Sequence, residues 1–385
     1  MLRNHLSIYN IAYLLYNIRI IILRAPLTNK ESMNPKIYIV VLNYNTWQDT
    51  AECLESLYKS RYNNYQVILV DNKSNNDSVK FIKLWAEGGL DVVTKGNNTL
   101  KRNSFPPVKK PLGYYFYKED DEGNLKYEYK ECINESNKAE EYPLIVIKAN
   151  KNKGFSAGNN IGIKYALLNG DFEYIWLLNN DTVIDNDSLD KLVEKADSYD
   201  KQKAKVGIIG SKVLFYNNPN IIQGVGVKYN KWLGTSKHIG IFEEDKGQYN
   251  NEESIFITDY IMGSSMFVNK KFINDVGLLC EDYFLYFEEL DWILRGKQKG
   301  WNIGYCWESK VYHKEGATMG SNANGKLRSE QADYYTFKNR IVFTKKFFPK
   351  YIWTVYAGFF MVALNRLSRR QFKRLKIIWS VLTSS

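Results

Sequence analysis

The chain has 385 residues, of which 44% are hydrophobic and 25% are charged, and this composition excludes a largely disordered protein. Four widely spaced cysteines argue against a zinc site or a disulfide framework and fit a reducing compartment. The net charge of +11 equals the number of lysines and arginines that follow the last acidic residue, Asp333, so the remainder of the chain is close to neutral.

Residues 1–33 are predicted to form a peripheral, amphipathic segment. Isoleucine and leucine recur there at helical spacing from Ile8 to Ile22, and no acidic residue precedes Glu31. Two interpretations stay open, a membrane-seeking helix or a stretch ahead of a working start at Met33. A secretory signal is not predicted, because the segment has no clear small-residue cleavage site.

The first elements after this segment predict a parallel sheet. Lys36–Leu42 is a short β-branched run typical of a buried strand, and Asp49 opens a helix. Tyr65–Val70 is the next predicted strand. A strand, a helix and a strand in such close succession indicate a βαβ unit with a right-handed crossover.

Residues 95–142 interrupt this pattern. The stretch is polar, contains three prolines and ends in a block of mixed charge. It predicts a polar insertion or a mobile excursion, and we assign no chemistry to it.

Strands and helices alternate again beyond the insertion. The predicted strands are Leu144–Ile147, Tyr174–Leu178, Val206–Ile209 and Tyr260–Val268. The predicted helices are Asn159–Leu168, a helix capped by Asp187 and Glu288–Lys299. The alternation predicts an α/β fold for residues 34–345, with a doubly wound, mostly parallel sheet flanked by helices and a more mixed second half.

Residues 346–385 form a basic, amphipathic tail. The apolar stretch Tyr351–Leu364 is too short to span a bilayer comfortably, and basic residues follow it up to Lys376. This pattern predicts an interfacial helix on an anionic leaflet, and hence a cytoplasmic protein that is peripheral at the inner face of the cell membrane. An exposed tail without a partner is the alternative. Nucleic acid is not predicted, because no nucleic-acid motif accompanies the tail.

Polar residues follow three predicted strands, at the edge where parallel sheets bind ligands. Asn43 and Asn45 follow the first strand, Asp71 follows the second, and residues 179–181 (Asn-Asn-Asp) follow a later one. Asp71 can accept hydrogen bonds from a base or a ribose. Asp181 offers an oxygen ligand for Mg²⁺ or Mn²⁺, whose shell a diphosphate and water complete. A plain turn is the alternative for residues 179–181.

Two further segments are candidates for chemistry. Lys153 and Gly154 stand in a turn that opens a helix, where backbone and lysine can meet phosphate. Glu288, Glu289 and Asp291 crowd together after a run of aromatic residues. Like charges beside apolar walls raise a carboxyl pKa and suit a general base, and compensation of a helix dipole is the alternative.

In this order the motifs resemble glycosyltransferase family 2, and especially its rhamnosyltransferase-type members, which have the GT-A fold. The matching segments are VVLNYNTW, VDNKSNNDS, NKGFSAGNNIGI, WLLNNDT, residues 263–266, YFLYFEELDWILR and VYHKEGATMG. They lie between residues 36 and 345, apart from the insertion.

The resemblance implies a nucleotide-sugar site in which Asp71 contacts the base. The other residues implied to lie near the nucleotide sugar are Asn43, Asn45, Lys153, Gly154, Asn159, Asn179 and Asn180.

The resemblance also implies a metal site and a base. Asp181 takes the place of the last aspartate in the metal motif of the family, whereas Asn179 replaces its first carboxylate, so metal binding rests on Asp181 and His313. Glu289 takes the place of the catalytic base, and Asp291 is the second choice.

The implied reaction is inverting, metal-dependent transfer of a hexose, with Mn²⁺ or Mg²⁺, in cell-surface polysaccharide synthesis. The implied donor is dTDP-L-rhamnose or a UDP-sugar, and the acceptor is a glycan or a lipid-linked glycan. Two alternatives stay open, a nucleotide-sugar-binding protein without catalysis and a membrane-surface scaffold.

Overall fold

A large twisted sheet runs through the centre of the computed structural model, which describes residues 34–92, 100–131, 144–314 and 329–384. The predicted segment 1–33 lies outside the described residues. Residues Pro35–Ser385 form a compact unit of their own. The strands are β1 (Ile37–Asn43), β2 (Tyr65–Asp71), β3 (Tyr114–Glu119), β4 (Leu125–Glu131), β5 (Leu144–Lys148), β6 (Tyr174–Asn179), β7 (Thr182–Ile184), β8 (Val206–Phe215), β9 (Ile222–Gly224), β10 (Val227–Asn230), β11 (Thr235–His238), β12 (Ser265–Asn269) and β13 (Asn302–His313).

Helices cover both faces of the sheet, and further helices follow it toward the C-terminus of the chain. They are α1 (Trp47–Leu57), α2 (Ser78–Glu87), α3 (Lys101–Ser104), α4 (Phe155–Asn169), α5 (Ser188–Lys201), α6 (Lys270–Val276), α7 (Glu288–Gln298), α8 (Glu330–Phe347), α9 (Ile352–Ser368) and α10 (Phe372–Ser384).

The sheet has the order β4-β3-β5-β2-β1-β6-β12-β8-β13-β7, and β9 pairs with β8. Strands β3, β5, β2, β1 and β6 are parallel to one another, whereas β4 is antiparallel to β3 and β12 is antiparallel to both β6 and β8. The chain leaves β1 toward β2 and later returns to the other side of β1 with β6. A crevice therefore opens at the carboxyl ends of β1 and β6, where doubly wound sheets bind ligands. This order confirms the predicted α/β architecture and its mixed second half.

Strand β1 lies at the centre of the core, and its alternate residues are buried on opposite faces of the sheet. Tyr38 and Val40 pack toward α4, while Ile39 and Val41 pack toward α1 and α2. Two glycines let α4 approach β1 closely. A Cβ at Gly158 would lie 2.5 Å from a methyl of Leu42, and one at Gly162 would lie 2.6 Å from Val40. The close approach brings the first turn of α4 to the crevice.

The structure differs from the sequence-based expectation in three places. The predicted polar insertion contains β3 and β4, which extend the sheet beyond β5, because alternating tyrosines supply their apolar contacts. The strand predicted from Tyr260 begins at Ser265, because the chain first turns at Met262, whose carbonyl accepts the Ser265 N–H.

The third difference is the tail, where one interfacial helix was predicted and the structure has two. Helices α9 and α10 pack on α8, which lies mostly within the predicted catalytic domain. No helix in the described parts of the chain has both the length and the apolarity needed to cross a membrane.

Candidate active site

The crevice at the carboxyl ends of β1 and β6 is a cavity of about 550 Å³. Cavities of this size suit small-molecule and cofactor ligands. The lining residues come from strand ends, the turn before α4, the aromatic loop before α7 and the start of α8, and they include Tyr44, Asn72, Asn152, Gly154, Asn179, Asn180, Asp181, Gln223, Met262, Phe284, Leu285, Tyr286, His313 and Gln331.

The sheet register brings Asp181 and His313 together. Asp181 lies in the turn between β6 and β7, and the last residue of β13, His313, pairs with Thr182 on β7. The Lys314 N–H also donates to the carbonyl of Asp181 at 2.9 Å. As a result the His313 Nε2 atom lies 3.0 Å from the Asp181 Oδ1 atom. Two residues 132 positions apart therefore share one site, as the resemblance implied.

The surroundings of His313 fix the orientation of its ring. Its Nδ1 atom lies 2.8 Å from Gln223 Oε1, an acceptor, so Nδ1 carries a proton and Nε2 faces Asp181, where it can bind a metal ion in place of a second proton. Two acceptor atoms at 3.0 Å require a proton or a metal ion between them. Neighbouring ligands of an octahedral ion with bonds of about 2.1 Å are about 3.0 Å apart, so the pair fits Mg²⁺ or Mn²⁺.

The electrostatic environment keeps the Asp181 carboxyl ionised. Burial opposes ionisation, but the charge of His313, its hydrogen bond and the charge of Lys314 outweigh burial and hold the pKa of Asp181 below its usual value. The described residues contain no cluster of three or more histidines, cysteines or acids that could hold a metal alone. Asp181 and His313 would therefore share an ion with ligands from a bound molecule.

The two amides before Asp181 have different surroundings. Asn179 Nδ2 lies 3.4 Å from His313 Nε2, beside the proposed metal position. Asn180 Nδ2 donates to the hydroxyls of Thr46 and Thr50 at 2.7 and 2.8 Å. Both residues line the cavity, but the amide nitrogen of Asn180 holds the loop after β1 in place.

A buried hydrogen-bond network joins the ends of β1 and β2. Asn43 donates to Asp71 Oδ2 at 2.8 Å and accepts from the Thr50 hydroxyl at 2.9 Å. The Ser74 N–H donates to Asp71 Oδ1 at 3.0 Å and the Ser74 hydroxyl accepts the Asn45 N–H at 2.9 Å. Asn43 and Asp71 are fully buried, so they support the cavity from behind, and contact of Asp71 with a base stays a prediction.

The turn before α4 contacts the aromatic loop before α7. The Phe155 N–H donates to the carbonyl of Phe284 at 2.8 Å. Gly154 lines the cavity, whereas the Lys153 side chain is exposed to solvent. Asn159 is buried, and its side-chain amide donates a hydrogen bond to the Phe155 carbonyl. Of these three predicted residues, only Gly154 faces the cavity directly.

Gly154→Ala is expected to damage both stability and ligand binding. Gly154 has a φ of +98°, and a Cβ there would lie 2.2 Å from the Phe284 carbonyl oxygen. The substitution must therefore separate the turn from the aromatic loop, and we expect a loss of about 2–4 kcal/mol in the free energy of unfolding by urea titration.

Gly300→Ala is the matched control, because Gly300 also has a positive φ of +76° but nothing lies within 4 Å of its added Cβ. It should cost only about 1 kcal/mol. Equal losses in the two variants would refute the contact argument.

Glu288 and Glu289 begin α7; Glu288 is buried, and Glu289 is half-buried with one carboxyl oxygen, Oε2, shielded from solvent. Glu289 Oε1 lies 3.5 Å from the position of a Cβ on Gly263, and the adjacent Met262 lines the cavity. Burial raises the pKa of Glu289 to about 7. Burial and the neighbouring Glu289 raise the pKa of Glu288 well above its usual value. A carboxyl with a pKa near neutrality is suited to take a proton and release it again.

Asp291 has a different environment, although it lies only two positions further along α7. It is fully buried, and its oxygens accept hydrogen bonds from Arg295 at 2.7 Å, Lys346 at 2.5 Å and Tyr283 at 3.1 Å. These contacts tie α7 to α8. The geometry therefore favours Glu289 over Asp291 as the proton acceptor.

Several site residues were not predicted from the sequence. Asn72 donates to the Gly154 carbonyl and to Asn152, both at 3.1 Å, and its buried Oδ1 has no hydrogen-bond partner among the described residues. Asn339 on α8 donates to the carbonyls of Leu285 and Tyr286 at 2.7 and 3.1 Å and so holds the aromatic loop. The Asp-Asn pair after β2 was a usable signal for Asn72, whereas Asn339 carried none.

Together, the sheet order and its switch-point cavity define the GT-A class of fold. The sequence profile of Glycosyl transferase family 2 matches residues 38–104 and 126–273, more than half of the chain. The chain belongs to this family. Membership confirms the predicted family, while the residues assigned to the site stay predictions.

The chain is also similar to a curated relative and to two solved structures. The "Low-salt glycan biosynthesis hexosyltransferase Agl10" of Haloferax volcanii is 26% identical over 210 residues, which are 54% of this chain and 62% of the relative. GalNAc-T7, solved with UDP, GalNAc and Mn²⁺, has a TM-score of 0.51 at 14% identity, covering 82% of this chain and 49% of that one. The mannosyltransferase PcManGT of Pyrobaculum calidifontis, solved with GDP-Man and Mn²⁺, has a TM-score of 0.47 at 11% identity, covering 96% of this chain and 93% of that one.

Proposed function

We propose that the chain is an inverting hexosyltransferase that transfers a sugar from a nucleotide diphosphate sugar to a hydroxyl of a glycan or a lipid-linked glycan. The observation that carries the proposal is the Asp181–His313 pair, whose acceptor atoms lie 3.0 Å apart in the wall of a cavity of about 550 Å³. Family membership supports the same reaction class. The proposed setting is cell-surface polysaccharide synthesis at the inner face of the membrane.

Asp181 and His313 would hold Mn²⁺ or Mg²⁺, with Gln223 fixing the His313 ring. The ion supplies positive charge that stabilises the leaving diphosphate. Asn179 and Asn180 lie beside this position, and Asn72 and Gly154 contribute polar backbone and amide groups to the cavity wall. The diphosphate would complete the ligand set that two protein side chains leave incomplete.

Glu289 is the proposed base. Its carboxylate takes the proton from the acceptor hydroxyl, the hydroxyl oxygen forms a bond to the anomeric carbon, and the bond to the diphosphate oxygen breaks with its electron pair on the diphosphate. Attack on the face opposite the leaving group inverts the anomeric centre. Arg295, Lys346 and Tyr283 engage Asp291, so that residue anchors α7 beneath the base.

The rate of transfer should depend on pH through Glu289. Because the base acts only when ionised, kcat/KM is expected to fall about tenfold for each pH unit below about 7 and to level off above it. The groups that face Glu289 are Glu288 and Tyr260, and burial raises the pKa values of both above their usual values. A profile from steady-state assays that is flat between pH 5.5 and about 8 would contradict this role.

The donor is proposed to be dTDP-L-rhamnose, by resemblance to rhamnosyltransferases, or a UDP-sugar. A panel that also contains GDP-mannose distinguishes them, since release of one nucleoside diphosphate above the others identifies the donor. The match to the family profile and the similarity to the hexosyltransferase relative are compatible with either donor. A catalytically inactive binding protein would bind the donor in this panel without releasing diphosphate.

A further inference from the structure

The outward side of helix α9 is an apolar stripe of unusual size. It consists of Trp353, Phe360, Met361, Leu364 and Leu367, whose side chains are 50% to 79% exposed. Successive members are seven, one, three and three positions apart, which places the five side chains on one side of the helix over about four turns. The opposite face, with Val355 and Phe359, is buried against α8 and α10. Helix α9 is therefore apolar on two sides, and only one of them is used by the fold.

Exposed basic residues lie at both ends of the stripe. Lys350 precedes α9, and Arg369 and Arg370 follow it. Helix α10 adds Lys373 and Lys376 next to its exposed aromatics, Phe372 and Trp379. No acidic residue follows Asp333, which is itself buried and paired with Arg366 and Arg374. The surroundings of the stripe are positively charged.

A second element extends the stripe at the start of α9. The turn between β10 and β11 exposes Trp232, and its ring contacts Tyr351 with a centroid distance of 4.6 Å. The Thr354 hydroxyl donates to the Trp232 carbonyl. Gly234 lets the turn approach closely, since a Cβ there would lie 2.6 Å from Arg340 Cγ. Two segments more than 100 residues apart in sequence thus each expose a tryptophan at the start of α9, Trp232 and Trp353.

We propose that this surface, formed by the α9 stripe and Trp232, docks on an anionic bilayer surface. Large apolar side chains flanked by arginine and lysine match the acyl boundary and the charged headgroups of such a membrane. Tryptophan is favoured at that boundary. A second copy of the chain fits less well, because a symmetric contact would bring the two basic clusters together.

The docking surface is connected to the proposed active site through α8. Tyr335 on α8 stacks on Phe284 with ring centroids 4.6 Å apart, and Asn339 holds the aromatic loop that lines the cavity. A lipid-linked acceptor in the same bilayer would then lie on the side of the molecule that carries this helix. The lipid contact itself does not depend on the proposed reaction.

Co-sedimentation of the full chain with phosphatidylcholine vesicles, with and without phosphatidylglycerol, tests the proposal. The test variant combines Trp353→Ser, Phe360→Ser and Leu364→Ser. The matched control combines Phe256→Ser and Ile257→Ser, which are exposed on the loop before β12. Wild type and control should bind the phosphatidylglycerol vesicles, binding should weaken with salt, and the test variant should bind at least about tenfold more weakly.

Arg369→Gln with Arg370→Gln should lower binding to the anionic vesicles about tenfold and leave the weak binding to neutral vesicles unchanged. Thermal unfolding checks that the variants fold. The proposal is overturned if wild type ignores both vesicles, if the test variant binds as wild type does, or if wild type is a dimer that the test variant splits. Metal-dependent binding of a nucleoside diphosphate is measured in parallel. Failure of vesicle binding and failure of nucleotide binding can then be told apart, because each is recorded in its own assay.

Discussion

Glu289→Gln is expected to lower the rate of sugar transfer by about 10³-fold while the donor still binds. The substitution keeps the size of the side chain and removes its ability to take a proton. Burial raises the pKa of Glu289 to about 7, so this carboxyl can act as a base near neutrality, and its Oε1 atom lies 3.5 Å from the position of a Cβ on Gly263, next to the cavity-lining Met262. The measurement is release of nucleoside diphosphate in the presence of acceptor, with donor affinity determined separately.

Glu288→Gln is the matched control for this prediction. Glu288 is the neighbouring acid in the same helical turn, burial and Glu289 raise its pKa well above the usual value, and it is not the proposed base, so glutamine keeps its size without removing the proposed function. The control should retain transfer close to the wild-type rate. If Glu288→Gln and Glu289→Gln lowered the rate of transfer equally, disruption of the first turn of α7 would explain both results, and the specific role of Glu289 as the base would be wrong.

The same pKa shift predicts that Glu289→Gln does not unfold the protein. The pKa of the Glu289 carboxyl is higher in the folded state, about 7, than in the unfolded state, about 4.3. The free energy of unfolding therefore falls as pH rises through this range, because ionisation of the carboxyl favours the unfolded state. At pH 8 the wild-type chain bears that cost in full and the glutamine variant does not. The melting temperature of the variant at pH 8 should therefore equal or exceed that of wild type.

Asp181→Asn is expected to remove metal-dependent donor binding and to lower transfer by about 10³-fold. Removing the carboxylate leaves His313 as the remaining proposed protein ligand, and charge stabilisation by a bound ion contributes several kcal/mol to such reactions. Asp187→Asn is the matched control, since it also removes one negative charge, but from a residue that follows β7 in the chain and does not line the cavity. Titration of Mn²⁺ against activity should show saturation in wild type and in the control only.

Gln223→Leu tests the orientation of His313 without touching a proposed ligand. Gln223 is buried on β9 and faces His313 Nδ1 at 2.8 Å. Loss of this acceptor should weaken Mn²⁺ affinity about 10–100-fold, with activity restored at high Mn²⁺. An unchanged Mn²⁺ titration would show that the Gln223–His313 contact does not serve metal binding.

Much of the fold could be predicted because its central strands are short, β-branched and apolar. Runs such as Lys36–Leu42 and Tyr174–Leu178 need no tertiary context to be identified as buried strands, and their polar ends mark the crevice. Strands β3 and β4 were missed, because their apolar contacts come from tyrosines within a polar, highly charged stretch. Pattern alone could not separate these strands from a surface excursion.

The site was only partly predictable for a different reason. Asp181, His313 and Glu289 stand in motifs, so the resemblance pointed to them, and their roles stay predictions. Gln223 and Asn339 reach the site through sheet pairing and helix packing, and each stands in a sequence context without a signal. The same packing engages Asp291 through Lys346, 55 residues further along the chain, which distinguishes two acids that the sequence presents as near equivalents.

The most direct test of the central claim is a thermal-shift panel of dTDP, UDP and GDP, with and without Mn²⁺. Ligands that bind only the native state raise the melting temperature in proportion to the logarithm of their concentration over Kd. At least one diphosphate should raise it by several degrees in wild type only when Mn²⁺ is present, and Asp181→Asn should lose that shift. No Mn²⁺-dependent shift with any diphosphate, or an equal shift in Asp181→Asn, would contradict a metal-held nucleoside diphosphate at Asp181 and His313.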